Sequence, residues 1–162
     1  MTYPKLIPVG KNNFALVDED DYELVVKHKW IMGCHRYAMT KIGDQIIFMH
    51  YMIMKAKGID HINSFGLDNR KCNLRIASVA ENMRNSIKCV ARADRICSSK
   101  YKGVSFRGDR QRWQAYIGTG KSRDILGCYS SEEAAARAYN EAAKVRYGQF
   151  AKLNILPEDY DL

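Results

Sequence analysis

The sequence predicts an α+β protein made of two small units in tandem. The first is predicted from a strand, loop, strand and helix pattern that begins at Ile59. The second is predicted from an alternating strand at residues 112–117 followed by a helix that ends near Gly148. This order of elements favours a small three-stranded antiparallel sheet packed on one helix in the second unit.

The residues before Ile59 predict a β-rich extension of the first unit. Two short strands flank a turn at Gly10, and a run of acidic residues then precedes a short helix, where carboxylates favour the positive end of the helix dipole. A hairpin around Gly43 and a buried apolar helix complete the extension. The predicted strands are 6–9, 14–17, 37–41 and 45–48, and the predicted apolar helix is 49–56.

The first unit itself is predicted as two strands, 59–63 and 74–77, joined by a polar loop at 64–71. Ser78 is followed three residues later by Glu81. That spacing is typical of a capping box, in which each side chain bonds to the other residue's backbone amide. A helix is therefore expected to begin at Ser78.

The second unit is predicted after a polar, basic linker. In the strand at 112–117, Trp113, Ala115 and Ile117 alternate with polar side chains, which indicates one apolar face. Ser130-Ser131-Glu132-Glu133 predicts another capping box, and Gly148 is a favoured helix end. Alanines at helical spacing predict that this helix lies close to the sheet.

Charge is unevenly distributed along the 162-residue chain, which has a net charge of +8. Residues 100–123 contain seven basic residues against Asp109 alone, and residues 70–95 contain seven against two acidic ones. Such segregation favours a surface that binds a polyanion. The chain has no run of about 18 apolar residues and no secretory signal at its start, which argues against a membrane span and against secretion. Five cysteines without a C-x-x-C pair predict reduced thiols in the cytoplasm.

Polar residues at four positions form the candidate catalytic set. Asp60 and His61 are adjacent, so their side chains point to opposite faces of a strand. Asn82 lies 22 positions after Asp60, and the strand, loop, strand and helix unit is expected to return it to Asp60's side. Asn73 lies 12 positions after His61, where its amide would either fix the loop or orient the imidazole.

This segment resembles the homing-type HNH endonucleases of mobile introns and phage genomes. The resemblance spans about residues 5–90 and also covers an upstream helix at 49–53, where the family more often has Arg in place of Tyr51. The motifs that carry it are Ile59-Asp60-His61-Ile62-Asn63, the Asp68-Asn69 loop, Asn73-Leu74-Arg75 and Glu81-Asn82.

The resemblance implies a ββα-metal finger with an assigned role for each polar residue. His61 would be the general base, which a neutral imidazole suits at physiological pH. Asn73 would support it, while Asp60 and Asn82 would bind one divalent cation. Two oxygen ligands favour Mg²⁺ or Mn²⁺, and Asn82 in place of a histidine makes tight zinc binding less expected.

The second unit resembles an Apetala-two/ethylene-response-factor domain over about residues 99–155. Such domains lay their three-stranded sheet in the major groove of double-stranded DNA. The family's groove-facing tryptophans are absent, so its base preferences do not transfer. The motifs are Tyr101-Lys102-Gly103-Val104, Arg112-Trp113-Gln114-Ala115-Tyr116-Ile117, Leu126-Gly127-Cys128-Tyr129, Glu132-Glu133-Ala134-Ala135 with Ala138-Tyr139, and Ala151-Lys152-Leu153-Asn154.

The DNA-facing residues follow from this resemblance and from strand alternation. The resemblance implies that four side chains, Lys102, Arg107, Tyr116 and Arg123, face DNA, with Ser105 and Ile125 beside them. Alternation places Arg112 and Gln114 on the same face as Tyr116. Four basic residues between the units, Arg84, Lys88, Arg92 and Arg95, are expected to extend the footprint.

Together these patterns predict a metal-dependent, sequence-directed DNA endonuclease that acts as a monomer, by nicking or by double-strand cleavage, without a small-molecule cofactor. We expect it to be intracellular and encoded by a phage or mobile element. The expected domains are a nuclease at 1–90, a basic linker at 91–99, a DNA-binding domain at 100–155 and a tail at 156–162. One alternative is a non-catalytic DNA-binding regulator with a decayed HNH unit. Another, an RNA-binding module, is less favoured because Tyr116 is the one obvious stacking residue on the polar face.

Overall fold

A computed structural model describes residues 3–33, 36–88, 91–92, 95–119 and 122–160. The chain is of the α+β class, with small antiparallel sheets and short helices. It divides into two compact units, Met1–Met83 and Arg84–Leu162. The predicted domain limits and the linker at 91–99 remain predictions.

The first unit is built from short elements. They are β1 (Lys5–Val9), β2 (Asn13–Val17), α1 (Glu19–Val25), β3 (Ile31–Met32), β4 (Ala38–Ile42), β5 (Gln45–Phe48), α2 (Met49–Met54), β6 (Ile59–His61), β7 (Leu74–Ile76) and most of α3 (Val79–Asn85), whose last two residues belong to the second unit. Three antiparallel sheets result: β1–β2, β3–β4–β5 and β6–β7. Among the described residues, an apolar cluster packs these elements together, with Val9, Val17, Trp30 and Met49 among its buried members.

Two predicted elements of the first unit are each two residues shorter than expected, and the strand predicted over 74–77 ends one residue early, at Ile76. The helix predicted to reach Ala56 ends at Met54, because Lys55 adopts a left-handed conformation with φ 51°. The strand predicted over 59–63 ends at His61. The chain turns there, and the Ser64 backbone N–H donates a hydrogen bond to the His61 carbonyl. The short strand β3 was not predicted, since two residues carry no periodicity.

The capping box at the start of α3 is confirmed. The Ser78 amide donates to Glu81 Oε2 at 2.8 Å, and the Glu81 amide donates to Ser78 Oγ at 3.3 Å. The reciprocal bonds satisfy two backbone donors that a helix start leaves without partners. They fix where α3 begins, and Asn82 therefore lies within its first turns.

The second unit holds the predicted three-stranded sheet and helix. Its strands are β8 (Ala91–Arg92), β9 (Arg95–Ile96), β10 (Val104–Arg107), β11 (Arg112–Thr119) and β12 (Ser122–Tyr129), and its long helix is α4 (Glu132–Tyr147). The sheet order is β10–β11–β12, with a bulge between Ala115 and Tyr116 in the β11–β12 pairing. The short strands β8 and β9 pair antiparallel where a linker is expected.

Helix α4 packs on one face of this sheet. Ala115, Ala135 and Val104 form one buried cluster, and Ile117, Tyr139 and Ala143 form another. Gly103, at φ +72°, is required there, because an added Cβ would lie 2.0 Å from Tyr139 Cδ2. The small residues therefore allow the close approach that the alanine spacing predicted.

The cap of α4 differs from the predicted capping box. Ser131 is the capping residue, and its Oγ accepts from the Ala134 amide at 3.1 Å. Glu132 instead accepts a bond from the Lys100 amide at 3.1 Å. The helix begins one residue later than the Ser130–Glu133 box predicts. Its capping residue is Ser131, and the residue three positions after it is Ala134, which has no carboxylate to return the bond.

None of the helices in the described ranges combines the length and apolarity needed to cross a bilayer.

Candidate functional site

Asp60 lies on the β6–β7 hairpin directly opposite Arg75. Arg75 donates to Asp60 Oδ2 from Nε at 2.8 Å and from Nη2 at 2.6 Å. Both side chains are largely buried, at 4% exposure for Asp60 and 13% for Arg75. Charge-assisted bonds in such surroundings hold a carboxylate in one orientation.

His61 follows Asp60 on the same strand and pairs with Leu74. Its side chain therefore leaves the strand on the other face. Its Nε2 lies 3.3 Å from Oδ1 of Asn69, which is fully buried in the loop between β6 and β7. Asn69 thus fixes the ring orientation, the role the sequence offered to Asn73 as one of two possibilities.

Two aromatic rings enclose the His61 imidazole. Tyr37 stacks on it with ring centroids 5.3 Å apart, and His50 meets it edge-on at 5.0 Å. The result is a histidine that is 3% exposed. Burial lowers the pKa of His61, while the Asn69 hydrogen bond and the Asp60 and Asp68 charges oppose that shift.

His50 is a buried histidine on α2. It is 2% exposed, and burial, followed by the nearby His61, lowers its pKa to about 3. Its Nδ1 has no hydrogen-bond partner among the described residues. His50 is therefore a neutral packing group at neutral pH, although it contacts the candidate base.

Asn73 holds the loop together. Its Oδ1 accepts from the Asn63 amide at 3.0 Å, and its Nδ2 donates to the Asp68 carbonyl at 2.8 Å. Asp68 in turn accepts two bonds from Arg70, each 2.7 Å long, and one from Asn63 Nδ2 at 2.9 Å. This network fixes the loop in which Asn69 lies.

The loop is also tied to the N-terminal extension. Leu16 in β2 exchanges two backbone bonds of 2.8 Å with Leu67 and Asn69. Lys71 donates from its amide to Asp18 at 2.7 Å and from Nζ to Asp21 at 2.8 Å. The acidic run at residues 18–21 therefore serves as an anchor for the loop, in addition to preceding α1.

Asn82 is exposed on α3, while the Asp60 carboxylate contacts Arg75. A cation shared by the oxygens of Asp60 and Asn82 remains a prediction. The donor chemistry fits the expected ion, because carboxylate and amide oxygens suit Mg²⁺ and Mn²⁺. No group of three or more His, Cys, Asp or Glu with metal-site spacing exists in the described part of the chain. A cation here would take its remaining ligands from water and phosphate.

One face of the β10–β11–β12 sheet carries most of the predicted DNA-facing residues. Arg107 and Arg112 are opposite each other in the register, and both are exposed. Gln114 lies between Ser105 and Cys128, and the Arg123 guanidinium lies 4.9 Å from the centre of the Tyr116 ring. The face opposite to α4 is thus polar and basic.

Three other predicted contacts have partners within the second unit. Lys102 Nζ donates to the Arg84 and Ser86 carbonyls at 2.5 and 2.7 Å, and Lys88 Nζ donates to the Tyr101 and Val104 carbonyls at 2.7 and 2.9 Å. The Arg84 guanidinium lies 5.1 Å from the Tyr147 ring centre. Their role in DNA binding stays a prediction, and these contacts hold residues 84–88 against the sheet module.

One relative covers nearly the whole chain. It is the protein named "Uncharacterized HNH endonuclease L560" of Acanthamoeba polyphaga mimivirus, which is 29% identical over an alignment 162 positions long. The alignment covers 95% of this chain and 81% of that protein. No family model and no solved structure matches the chain. The similarity therefore comes from this relative and from the partial matches that follow.

Plant proteins match parts of the chain. The AP2-like ethylene-responsive transcription factor TOE2 of Arabidopsis thaliana is 36% identical over 75 residues, 46% of this chain and 16% of that protein. Dehydration-responsive element-binding protein 2C of the same plant is 52% identical over 59 residues, 33% of this chain and 17% of that protein. The chain spans less than a fifth of either plant protein.

Sequence reasoning missed the side chains that surround the candidate pair. Asn69 belongs to the Asp68-Asn69 motif and Arg75 to the returning strand, and the sequence predicts no site role for either. Tyr37 lies 24 positions before His61, so no local spacing relates the two. A rule that residues directly opposite on a hairpin share a face would have found Arg75.

Proposed function

We propose that this chain is a metal-dependent, sequence-directed DNA endonuclease of the homing HNH type. The observation that carries the proposal is the arrangement of Asp60 and His61 on opposite faces of β6, in a chain matched along 95% of its length by a protein named as an HNH endonuclease. The partial matches to plant proteins named as transcription factors and element-binding proteins support DNA as the partner.

In the proposed reaction, His61 accepts a proton from the attacking water, and Asn69 holds its ring in place. Asp60 and Asn82 would hold one Mg²⁺ or Mn²⁺ ion, with Arg75 orienting the carboxylate. A carboxylate has about four lone-pair sites, so a guanidinium and a cation can share it. When bound, the ion polarises the scissile phosphate and stabilises the leaving 3′ oxygen.

The second unit would supply recognition. Its exposed sheet face carries Arg107, Arg112 and Arg123, which suit phosphate contacts and guanine edges, and Gln114, which suits adenine. Affinity is then expected to fall steeply with salt, because each neutralised phosphate releases counterions. A monomer with a single site would nick one strand at a time.

Supercoiled plasmid incubated with Mg²⁺ tests this function. The wild-type chain is expected to convert it to the nicked form, and His61→Ala is expected to lose almost all of that activity. His28→Ala is the matched control, because His28 is a half-buried histidine of the same unit that contacts Trp30 instead of the candidate set. Equal nicking by wild type and His61→Ala would refute the assignment.

A second function is favoured by one specific observation. His61 is 3% exposed beneath Tyr37, and Asp60 is closed off by Arg75. This burial suits a non-catalytic DNA-binding regulator, in which neither side chain has to reach DNA. If the chain is such a regulator, it should bind duplex DNA tightly and nick no plasmid with either Mg²⁺ or Mn²⁺. In an endonuclease, by contrast, Tyr37 must move away from His61 when DNA binds.

A further inference from the structure

A pocket with a volume of about 610 Å³ lies in the first unit, where β5 runs into α2. We call it the β5–α2 pocket. Because β5 is an edge strand, the pocket lies at the margin of the β3–β4–β5 sheet. Three residues of β5 and four residues of α2 or the turn after it form the lining: Gln45, Ile46, Ile47, Tyr51, Lys55, Ala56 and Lys57. The pocket therefore combines apolar side chains, one aromatic ring and two ammonium groups.

The wall that Tyr51 forms is fixed by aromatic neighbours. Its ring meets the Phe48 ring edge-on with centroids 5.6 Å apart, and it meets the His50 ring edge-on at 4.4 Å. Lys55, four positions after Tyr51, is the capping residue at the end of α2. Residues four apart lie on the same side of a helix, so the ring and this lysine line one surface.

Two lysines carry the positive charge of the pocket. Lys55 and Lys57 are both exposed. Neither side chain makes a hydrogen bond, an ion pair or a ring contact with another residue that the structure describes. No Asp or Glu is part of the described lining, and Asp44, the acidic residue just before it in the sequence, pairs with Lys41. Both ammonium groups are therefore available to an anionic ligand.

The apolar part of the lining is incompletely covered. Ile46 is 62% exposed, and Ile47 and Tyr51 beside it are half-buried. A contiguous apolar surface next to two cations suits a ligand with both carbon-rich and anionic parts. The DNA backbone has this chemistry, because deoxyribose rings alternate with phosphates along each strand.

The pocket lies close to the candidate base. His50, which precedes Tyr51 in α2, meets the His61 ring edge-on with centroids 5.0 Å apart. Two successive ring contacts therefore connect His61 to the wall of the pocket. At about 3.4 Å of rise per nucleotide, two such ring spacings correspond to about three nucleotides of one strand. A strand with its scissile phosphate at His61 can reach the pocket within that distance.

We propose that the β5–α2 pocket binds the sugar–phosphate backbone of duplex DNA a few nucleotides from the scissile phosphate. Lys55 and Lys57 contact phosphates, and Ile46 packs against deoxyribose. The inference rests on the proposed function, because it takes DNA as the partner and His61 as the base. Backbone contacts position a protein on DNA and carry no base preference. The pocket therefore places the strand for cleavage, while the sheet face of the second unit reads the sequence.

Duplex affinity, measured by fluorescence anisotropy over a range of salt, tests the charged part of the pocket. EDTA is present so that no strand is cut. The full chain is compared with Lys55→Gln, Lys57→Gln and the double variant. Lys11→Gln is the matched control, since it removes the same charge from the exposed β1–β2 turn of the same unit, outside the pocket. Arg112→Gln reports separately on the sheet face.

Each pocket lysine replaced by glutamine is expected to lower the slope of log affinity against log salt by about 0.9, which is the loss of one phosphate contact. At about 0.15 M salt this slope corresponds to a roughly fivefold loss of affinity, if the affinity extrapolated to 1 M salt is unchanged. Lys11→Gln should leave both quantities near wild type. Pocket variants that match Lys11→Gln, while Arg112→Gln weakens binding, overturn this inference and leave the proposed function intact.

The apolar part has a different signature. Ile46→Thr is expected to weaken duplex binding roughly fourfold, about the worth of one buried methylene, without changing the salt slope. Ile31→Thr is its control, because Ile31 is also exposed and lies on the other edge strand of the same sheet. Equal affinities of the two variants would overturn the deoxyribose contact.

Neutral methylphosphonate linkages locate the contact on the strand. Once the cleavage ends are mapped, single phosphates within about three nucleotides of the cut are replaced one at a time. At the phosphates that the pocket contacts, the replacement should weaken binding of the wild type and leave binding of the Lys55→Gln/Lys57→Gln double variant unchanged. Replacements that weaken both proteins equally would show that these phosphates are bound elsewhere and overturn the inference.

Thermal unfolding of the same variants separates binding from a structural role. Lysines near the end of a helix also interact favourably with its dipole. A lower melting temperature with an unchanged salt slope would assign Lys55 and Lys57 to that role and overturn the inference. A wild-type chain that binds no duplex overturns both proposals. A chain that binds duplex without nicking it removes the nuclease, and the anisotropy series still decides whether the pocket binds the backbone.

Discussion

Arg75 and Asp60 face each other across the β6–β7 hairpin, and Nε and Nη2 of the guanidinium each donate to Oδ2 of the carboxylate. This ion pair fixes the orientation of the Asp60 carboxylate, which is the candidate metal ligand. Desolvating two charges costs several kcal/mol, which their mutual attraction and hydrogen bonds offset. A buried ion pair of this kind contributes orientation more than stability.

Removing Arg75 is expected to destabilise the first unit. Arg75→Ala leaves the Asp60 carboxylate buried without its cation, which costs about 3 kcal/mol or more of unfolding free energy. Arg75→Lys keeps the charge but loses the planar fork, so an intermediate loss is expected. Urea denaturation measures both, and Lys41→Ala is the control because the Lys41–Asp44 pair is exposed and should matter little. An Arg75→Ala loss no larger than the control's would show that the ion pair does not hold the hairpin.

The sequence was sufficient to predict the opposite faces of Asp60 and His61, because the pleat of a strand is a local property. It was not sufficient to predict the enclosure of His61. Tyr37 comes from a distant segment and Asn69 from an irregular loop, and neither carries periodicity. Contacts that depend on tertiary packing need coordinates, whereas contacts set by pleat or cap do not.

The loop network makes a second prediction. The Asn73 side chain is 6% exposed. Asn73→Ala leaves the Asn63 backbone N–H without the Asn73 Oδ1 acceptor and the Asp68 carbonyl without the Asn73 Nδ2 donor. Buried groups left without partners cost about 1–3 kcal/mol each, so the unfolding free energy should fall by roughly 3 kcal/mol. Asn73→Asp keeps the acceptor but buries a carboxylate against the Asp68 carbonyl oxygen, so it should lose at least as much as Asn73→Ala.

Thermal and urea unfolding measure this loss, with Asn12→Ala in an exposed turn as the control. Plasmid nicking by Asn73→Ala should also decrease, because the loop between β6 and β7 that carries Asn69 is then less well fixed. Full stability in Asn73→Ala would mean that the Asp68–Arg70 pair alone fixes the loop.

His50 gives a prediction about acid. Its pKa is about 3 in the folded chain against 6.5 as the ordinary value, so the folded state binds fewer protons than the unfolded state. The unfolding free energy must therefore decrease as pH falls below about 6.5, and the decrease continues toward the folded pKa. A drop of 1.5 pH units corresponds to about 2 kcal/mol from this group.

His50→Phe removes that dependence while retaining an aromatic ring beside Tyr37 and Phe48. Between about pH 6.5 and pH 5, its unfolding free energy should change less than that of the wild type, as measured by urea denaturation at each pH. His61 also has a lowered pKa and contributes to the slope that remains. Identical slopes in the two proteins would mean that His50 is not the acid-sensitive group.

The second unit was predicted more completely than the first. Alternation in 112–117 fixed which face of β11 packs on α4, and Ala115 and Ile117 are indeed buried while Arg112 is exposed. The sequence predicts Lys88 and Lys102 as DNA contacts, whereas in the structure both ammonium groups donate to backbone carbonyls. Charge in a sequence does not reveal whether an ammonium group meets solvent or a backbone carbonyl.

Asn82 provides the prediction that tests the metal ion directly. If its amide oxygen is a ligand, Asn82→Ala should raise the Mg²⁺ concentration for half-maximal nicking by an order of magnitude or more, while high Mg²⁺ restores much of the rate. Asn82→Asp keeps an oxygen donor and should need less Mg²⁺ than Asn82→Ala. Val79→Ala, at an exposed position of the same helix, is the control.

EDTA should abolish nicking in every variant. Mn²⁺ should replace Mg²⁺ and Zn²⁺ should not, because oxygen ligands favour hard ions. An unchanged Mg²⁺ requirement in Asn82→Ala would remove this residue from the metal site and leave Asp60 to be tested by itself.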